Sequence, residues 1–223
     1  MRTLYPSTVR SASSDEWVLK SGMNSTKLGD HISKGAWRGS RLYSLKLEER
    51  KTCPATCAQL GCCYGNHVGR KAARWNVDLK LYTRLLVELD ALSYRHRTYA
   101  IRLHDLGDFA SVEYVQFWLD ALKAHRGLRL RGFTHWPRTS EIGSVIERES
   151  KRWSRFRIRF SDNHRGLRTA HVIPDEGQQG WFRRGPAETR SFICIADATR
   201  PLKSCGDCGF CITKQTELVF KHH

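Results

Sequence analysis

The sequence predicts an α/β protein built as an incomplete, parallel (β/α)6-like barrel, with a cysteine-rich cluster loop and a cysteine-rich C-terminal segment. Strand-like runs alternate with helix-length apolar stripes through the middle of the chain, the pattern of successive βα units. All eight cysteines fall in two short segments, one after the first of these strands and one at and beyond the last. Two strands alternate apolar residues with arginine, which gives the sheet one greasy and one cationic face.

Residues 1–38 are rich in Ser, Gly and Lys without sustained periodicity, and are expected to form a flexible or loosely packed N-terminal arm. The barrel-like core is assigned to 39–190. It opens with 41–47, where Tyr43, Leu45 and Leu47 alternate with Leu42, Ser44 and Lys46 in a strand that delivers the chain to the first cysteines. From Asp78 to Ser93, the stripe Leu79, Tyr82, Leu85, Leu86, Leu89 and Leu92 has helical spacing. A second strand carries Tyr99, Ile101 and Leu103 and stops at the turn 105–109. Ser111 is the expected N-cap of a helix with Val112, Val115, Trp118, Leu119 and Leu122 on one face. The cycle recurs with a strand at 128–133 and a helix at 139–153 that places Ile142, Val145, Ile146 and Trp153 on one side. Further strands follow at 155–163 and 169–174. The last unit, 191–223, holds a strand at 191–197 and the C-terminal cysteine cluster, packed on the core. About six strands result.

Leu128 and Leu130 alternate with Arg129 and Arg131, and Phe156, Ile158 and Phe160 with Arg155, Arg157 and Arg159. A parallel sheet covered on both faces reads as continuous apolar sequence, so this one is expected to have a polar second face. That face is either a wet lumen for an anionic or nucleotide substrate, an exposed surface for a nucleic-acid backbone, or a set of ion pairs with acidic neighbours. The formal charge of +16, from 38 Lys and Arg against 22 Asp and Glu, raises attraction to polyanions and is silent about catalysis.

No apolar run approaches the roughly 18 residues of a membrane span, so no membrane partner is expected. The start of the chain has no run suited to a signal peptide. The expected location is the cytoplasm, where thiols stay reduced and clustered cysteines serve as ligands or redox groups more readily than as staples. Cys53 and Cys57 with Cys62 or Cys63 give C-x3-C-x4-C or C-x3-C-x5-C, and Cys63 is taken as the third ligand. Cys194, Cys205, Cys208 and Cys211 offer four thiolates, with Gly206 and Gly209 permitting the turns between the close pairs. Soft thiolates suit iron–sulfur clusters and zinc alike. The C-x2-C-x2-C run leans towards iron–sulfur, with zinc the alternative at the C-terminal site. No phosphate-binding glycine loop, dinucleotide fingerprint or HExxH pair is present. His104, Asp105, His135, Asp162 and His164 lie at strand ends, where an α/β barrel places its active-site loops.

A strand, a three-cysteine loop, and a second strand ending in a glycine-acidic turn resemble the radical S-adenosylmethionine enzymes. The third cysteine spacing is longer than theirs, and Tyr64 follows Cys63 where their aromatic precedes the third cysteine. The resemblance implies two [4Fe–4S] clusters, the first binding S-adenosylmethionine and fed by a one-electron reductant. It also implies a methionyl contact at Gly107 and Asp108 and ribose contacts at Ser161 and Asn163. The order TCPATCAQ, CYG, RLHDLGDF, RFS and SCGDCGFC more specifically resembles a bacteriophage and mobile-element family known as gene product eighty-eight, over about residues 40–221, which implies the host cell cytoplasm as the location. The function expected is therefore an iron–sulfur protein like a radical S-adenosylmethionine enzyme, acting on a nucleotide or nucleic-acid-related substrate. The alternative is a noncatalytic iron–sulfur or zinc protein that binds nucleic acid.

Overall fold

Asp78, Ser111 and Ser140 each end an extended stretch and start a helix by accepting a backbone N–H three residues on, from Leu81 (2.9 Å), Tyr114 (3.2 Å) and Gly143 (3.1 Å). Each bond satisfies one donor that the first helical turn leaves open. The computed structural model describes residues 3–57, 59–61, 63–67, 73–161, 167–173, 180–182, 191–195 and 203–221. In chain order the elements are β1 (Val9–Arg10), β2 (Lys20–Ser21), β3 (Arg41–Lys46), α1 (Tyr64–His67), β4 (Arg74–Trp75), α2 (Leu79–Arg95), β5 (Tyr99–Leu106), α3 (Val112–Ala124), β6 (Leu128–Thr134), α4 (Glu141–Arg152), β7 (Phe156–Ser161), β8 (Thr169–Ile173), β9 (Gly180–Phe182), β10 (Ser191–Ile193), α5 (Cys205–Cys208), α6 (Phe210–Thr213) and β11 (Leu218–Lys221).

Among the described residues, nine strands form one sheet in the order β2-β3-β5-β6-β7-β8-β11-β10-β9. The seven from β3 to β10 run parallel, and β2 and β9 are antiparallel strands at the two edges. The six strands read from the sequence are all present, but the last does not follow the fifth in space, because β11 lies between β8 and β10. Strands β3, β5, β6 and β7 succeed one another in chain order, and α2, α3 and α4 make the crossovers. Tyr99, Ile101 and Leu103 of β5, Leu128 and Leu130 of β6, and Phe156, Ile158 and Phe160 of β7 share one core with these helices.

The helix faces differ in detail from the expected stripes. In α2 the buried side is Leu81, Leu85, Glu88, Leu89 and Leu92, while Leu79 is 80% and Leu86 48% exposed. Leu79 is the first helical residue, and the core-facing line runs through the 81, 85, 89 and 92 positions one helical step away. Glu88 is buried in that line because its carboxylate accepts the N–H groups of Val18 (2.6 Å) and Leu19 (2.8 Å) and pairs with Arg84 (2.9 Å).

Those contacts correct the picture of residues 1–38 as a loose arm. Ala12, Val18, Leu19, Leu28, Ile32 and Trp37 are buried. Leu28, Ile32 and Trp37 pack with Leu42, Ala100 and Ile212 on the sheet face opposite the helices. A lone apolar residue every few positions gives no period, yet each fills a place on a surface already built by other elements.

Candidate functional site

The first cysteine segment leaves the C-terminal end of β3 and is tied to the C-terminal end of β5. Leu47 N–H donates to the Leu106 carbonyl (2.9 Å), and Thr52 Oγ1 donates to the Glu48 carbonyl (2.9 Å) while accepting the N–H of Asp108 (3.0 Å). Gly107 has φ +82°, and a Cβ there would lie 2.7 Å from Thr52 Oγ1 and 2.8 Å from Leu47 Cβ. Only glycine fits the left-handed turn at that spacing.

Asp108 is buried, and its carboxylate accepts the N–H groups of Phe109 (2.8 Å) and His135 (2.7 Å) and the Thr134 hydroxyl. Burial pushes its pKa up to about 7 against the pull of those donors. The Asp108 side chain thus joins the ends of β5 and β6. Burial also drives the Cys53 thiol well above its ordinary pKa, and the charges of Asp108, Cys57 and Cys63 add to the shift. These four acidic groups therefore share one electrostatic neighbourhood, with Cys57 buried and Cys53 and Cys63 half-buried. Cys63 Sγ accepts the Gly65 N–H at 3.4 Å. Cys62 lies outside the described residues, as do Asn163, Asp162 and His164. Ser161 ends β7, two strands beyond β5, half-buried and opposite Ala170.

A buried pair braces the same loop. Arg74 Nε donates to Glu49 Oε2 at 2.7 Å with both side chains out of water. The Arg74 guanidinium also reaches Thr8 Oγ1 (2.7 Å) and the Gly65 carbonyl (3.0 Å). Thr3 donates to the other Glu49 oxygen, and Tyr5 Oη to the Asn66 carbonyl (2.7 Å). Residues 3–8 therefore clamp both arms of the cysteine loop. Glu49, Arg74 and this clamp carry no signal in the sequence beyond a Glu and an Arg in irregular stretches.

The C-terminal cysteines pack on the sheet face opposite α2, α3 and α4. Ser204 caps α5, and Gly209 at φ +62° turns the chain into α6. Gly206 serves differently from the expected turn: a Cβ there would come within 2.1 Å of the His31 carbonyl. The strap at 27–33 holds this segment through Cys205 N–H to the Lys27 carbonyl (2.7 Å), Gly206 N–H to Leu28 (3.0 Å) and Ser33 N–H to Gly206 (3.1 Å). Cys194, Cys205, Cys208 and Cys211 line one small pocket with Arg131, Phe192, Phe210 and Leu218. The seven described cysteines are thiols and not disulfides. Among the described residues no three His, Cys, Asp or Glu side chains converge tightly enough to close on a metal ion.

The cationic sheet face is neither an open lumen nor an exposed surface at this place. Arg131 and Arg159 are buried at 4% and 3% exposure, covered by the cysteine segment. Arg159 donates to the carbonyls of Thr216 (2.7 Å) and Lys214. Arg102 pairs with Asp105 at 3.0 Å; burial works against its charge, and Asp105, Cys205, Cys211 and Cys194 outweigh burial. Burial raises Cys205, and Arg131 with Arg102 overcome it, leaving that thiol below its ordinary pKa. Burial keeps Cys211 above its ordinary value despite Arg159, Arg131 and Arg102. Arg155 is engaged elsewhere, on the carbonyls of Leu122 (2.6 Å), His125 (3.0 Å) and Leu128 (2.9 Å), in the last turn of α3 and just after it.

His104 is a packing residue, its Nε2 at 3.1 Å from Tyr114 Oη and its ring edge-on to Phe109. His135 contributes its backbone N–H to Asp108.

Fold and site define an α/β protein with a mostly parallel sheet, one cysteine segment at the strand ends and a second on the sheet face that carries the arginines. The gene product 88 family matches over residues 17–214, and the chain belongs to it. No curated protein and no solved structure matches the chain. No described helix is long and apolar enough to cross a membrane.

Proposed function

We propose that the protein is an iron–sulfur enzyme of the radical S-adenosylmethionine type, acting on a nucleotide or nucleic-acid-related substrate, with β3, β5, β6, β7, β8 and β10 serving as the strands of the incomplete (β/α)6-like barrel. The observation that carries the reading is the gathering of Cys53, Cys57 and Cys63 beside the Gly107-Asp108 turn, at the C-terminal ends of adjacent parallel strands, where α/β folds bind their ligands. Three buried or half-buried thiols and a carboxyl group in one place are costly as anions. A bound cation inverts that cost, so the donor set suits a cluster. Cys53, Cys57 and Cys63 would hold the first [4Fe–4S] cluster, which when bound supplies one electron, received from a reductant, for cleavage of S-adenosylmethionine. Cys194, Cys205, Cys208 and Cys211 would hold a second cluster, or zinc.

Gly107 lets Thr52 and Leu47 close against the strand end, and the Asp108 carboxylate orders the backbone beside it. Ser161 and Asn163 would meet the ribose. The test is to reconstitute the protein anaerobically, reduce it, and add S-adenosylmethionine. Binding should change the paramagnetic resonance spectrum of the first cluster and slowly yield 5′-deoxyadenosine. A loaded, reduced protein that neither changes its spectrum nor forms this product would overturn the reading.

The formal charge of +16 favours a second reading, a noncatalytic metal protein that binds nucleic acid. That protein would bind nucleic acid with a steep salt dependence and leave S-adenosylmethionine unbound.

A further inference from the structure

The buried guanidiniums around the C-terminal cysteines present hydrogen-bond donors that the protein itself does not use. Arg131 Nε and Nη2, Arg159 Nε and Arg102 Nε are buried without a hydrogen-bond partner among the described residues. Arg131 lines the pocket of the four cysteines, and Arg159 and Arg102 lie close enough for their charges to act on Cys211. A buried donor left unpaired costs about 1–3 kcal/mol, more when it is charged. Among the described residues, Arg102 alone of the three arginines has an acidic partner, Asp105. Three cations facing four thiols on the inner face call for an anion larger than one carboxylate. The Phe192 and Phe210 rings, stacked with centroids 4.0 Å apart, keep that place apolar on another side.

We infer that Arg131, Arg159 and Arg102 are positioning residues for a tetrathiolate [4Fe–4S] centre held by Cys194, Cys205, Cys208 and Cys211, and that they raise its reduction potential. The inference rests on the reading of these cysteines as iron–sulfur ligands. A cubane with four thiolates is a dianion when oxidised and becomes a trianion on accepting one electron. Nearby cations and N–H donors to sulfur favour the more negative state, because cluster potentials follow net charge, hydrogen bonding to sulfur and solvent exposure. The same cations leave the C-terminal centre better suited to take up an electron than a cluster beside Asp108, a carboxyl group that works in the opposite direction.

The experiment uses the full chain carrying Cys53→Ala, so that one cluster signal remains, titrated with dithionite and followed by paramagnetic resonance. Arg131→Gln and Arg102→Gln should each move the midpoint to more negative potential while iron and sulfide content stay at the parent level. Arg131→Lys and Arg102→Lys should return part of the shift. Arg102 is the less buried of the two, with its side chain 18% exposed, so its variants keep the test open if Arg131→Gln fails to fold. Intact cluster with an unchanged midpoint in the Gln variants overturns the inference and leaves the iron–sulfur reading standing. Zinc without sulfide at the C-terminal cysteines overturns both for that site.

Discussion

His104 shows how one buried side chain sets a pH dependence. Burial lowers its pKa from 6.5 to about 3, with Asp105 opposing weakly. The unfolded chain takes up a proton below pH 6.5 and the native protein does not until about pH 3, so His104 favours folding fully above the unfolded pKa and progressively less as pH falls through that window. Between about pH 7 and about pH 5 the loss from this group approaches about 2 kcal/mol. His135, lowered by burial to about 4, acts with the same sign. The urea midpoint of His104→Gln should therefore fall less between those two pH values than the midpoint of the parent. Equal falls would mean that His104 is not held neutral. Asp108 has the opposite sign, since its raised pKa favours the folded protein at low pH. Its role as a clasp between β5 and β6 was not legible in the sequence, where it reads only as an acidic residue after glycine. What reveals it is the pair of N–H groups, one local and one from residue 135, that converge on its two oxygens.

Helices and central strands were legible because their signals are local. Asp78, Ser111 and Ser140 cap helices through bonds spanning three residues, and alternation marked β5, β6 and β7. What failed is the exact face of α2, since 79 and 81 look equally apolar in a stripe and only packing decides between them. That choice has a measurable outcome. Leu85→Ala should cost about 2–5 kcal/mol in urea denaturation, as for a fully buried leucine, whereas Leu79→Ala should stay within about 0.5 kcal/mol, as for an exposed position. Similar costs at both positions would return the helix to the expected stripe. The short elements β2, β4, β9 and β11 carry too few residues for a period. Their strand character comes from the neighbour they pair with, a nonlocal fact. The strap at 27–33 is of the same kind, held to Cys205 and Gly206 by backbone bonds.

At the scale of the molecule, the sheet has two halves of different construction. From β3 to β7 it is wound in chain order with a helix over each crossover, and this half was readable as βα units. From β8 onwards the order departs from the chain, as β11 runs between β8 and β10. Leu218 of β11 is buried with Ala170, Cys194 and Phe210, so Leu218→Ala should speed native-state hydrogen exchange in β8 and β10 and leave the protection of β5 and β6 unchanged. Uniform loss of protection would show that the two halves open as one unit. The placement of β11 also bears on biosynthesis. A ribosome delivers β8, β9 and β10 before the strand that belongs between them, so during translation β8 and β10 each wait with a bare ladder edge facing the gap. Those edges are where a nascent chain is open to pairing with a wrong neighbour. The half that bears the first cysteine segment can fold while synthesis continues, and the half that bears the second must wait until β11 has been made.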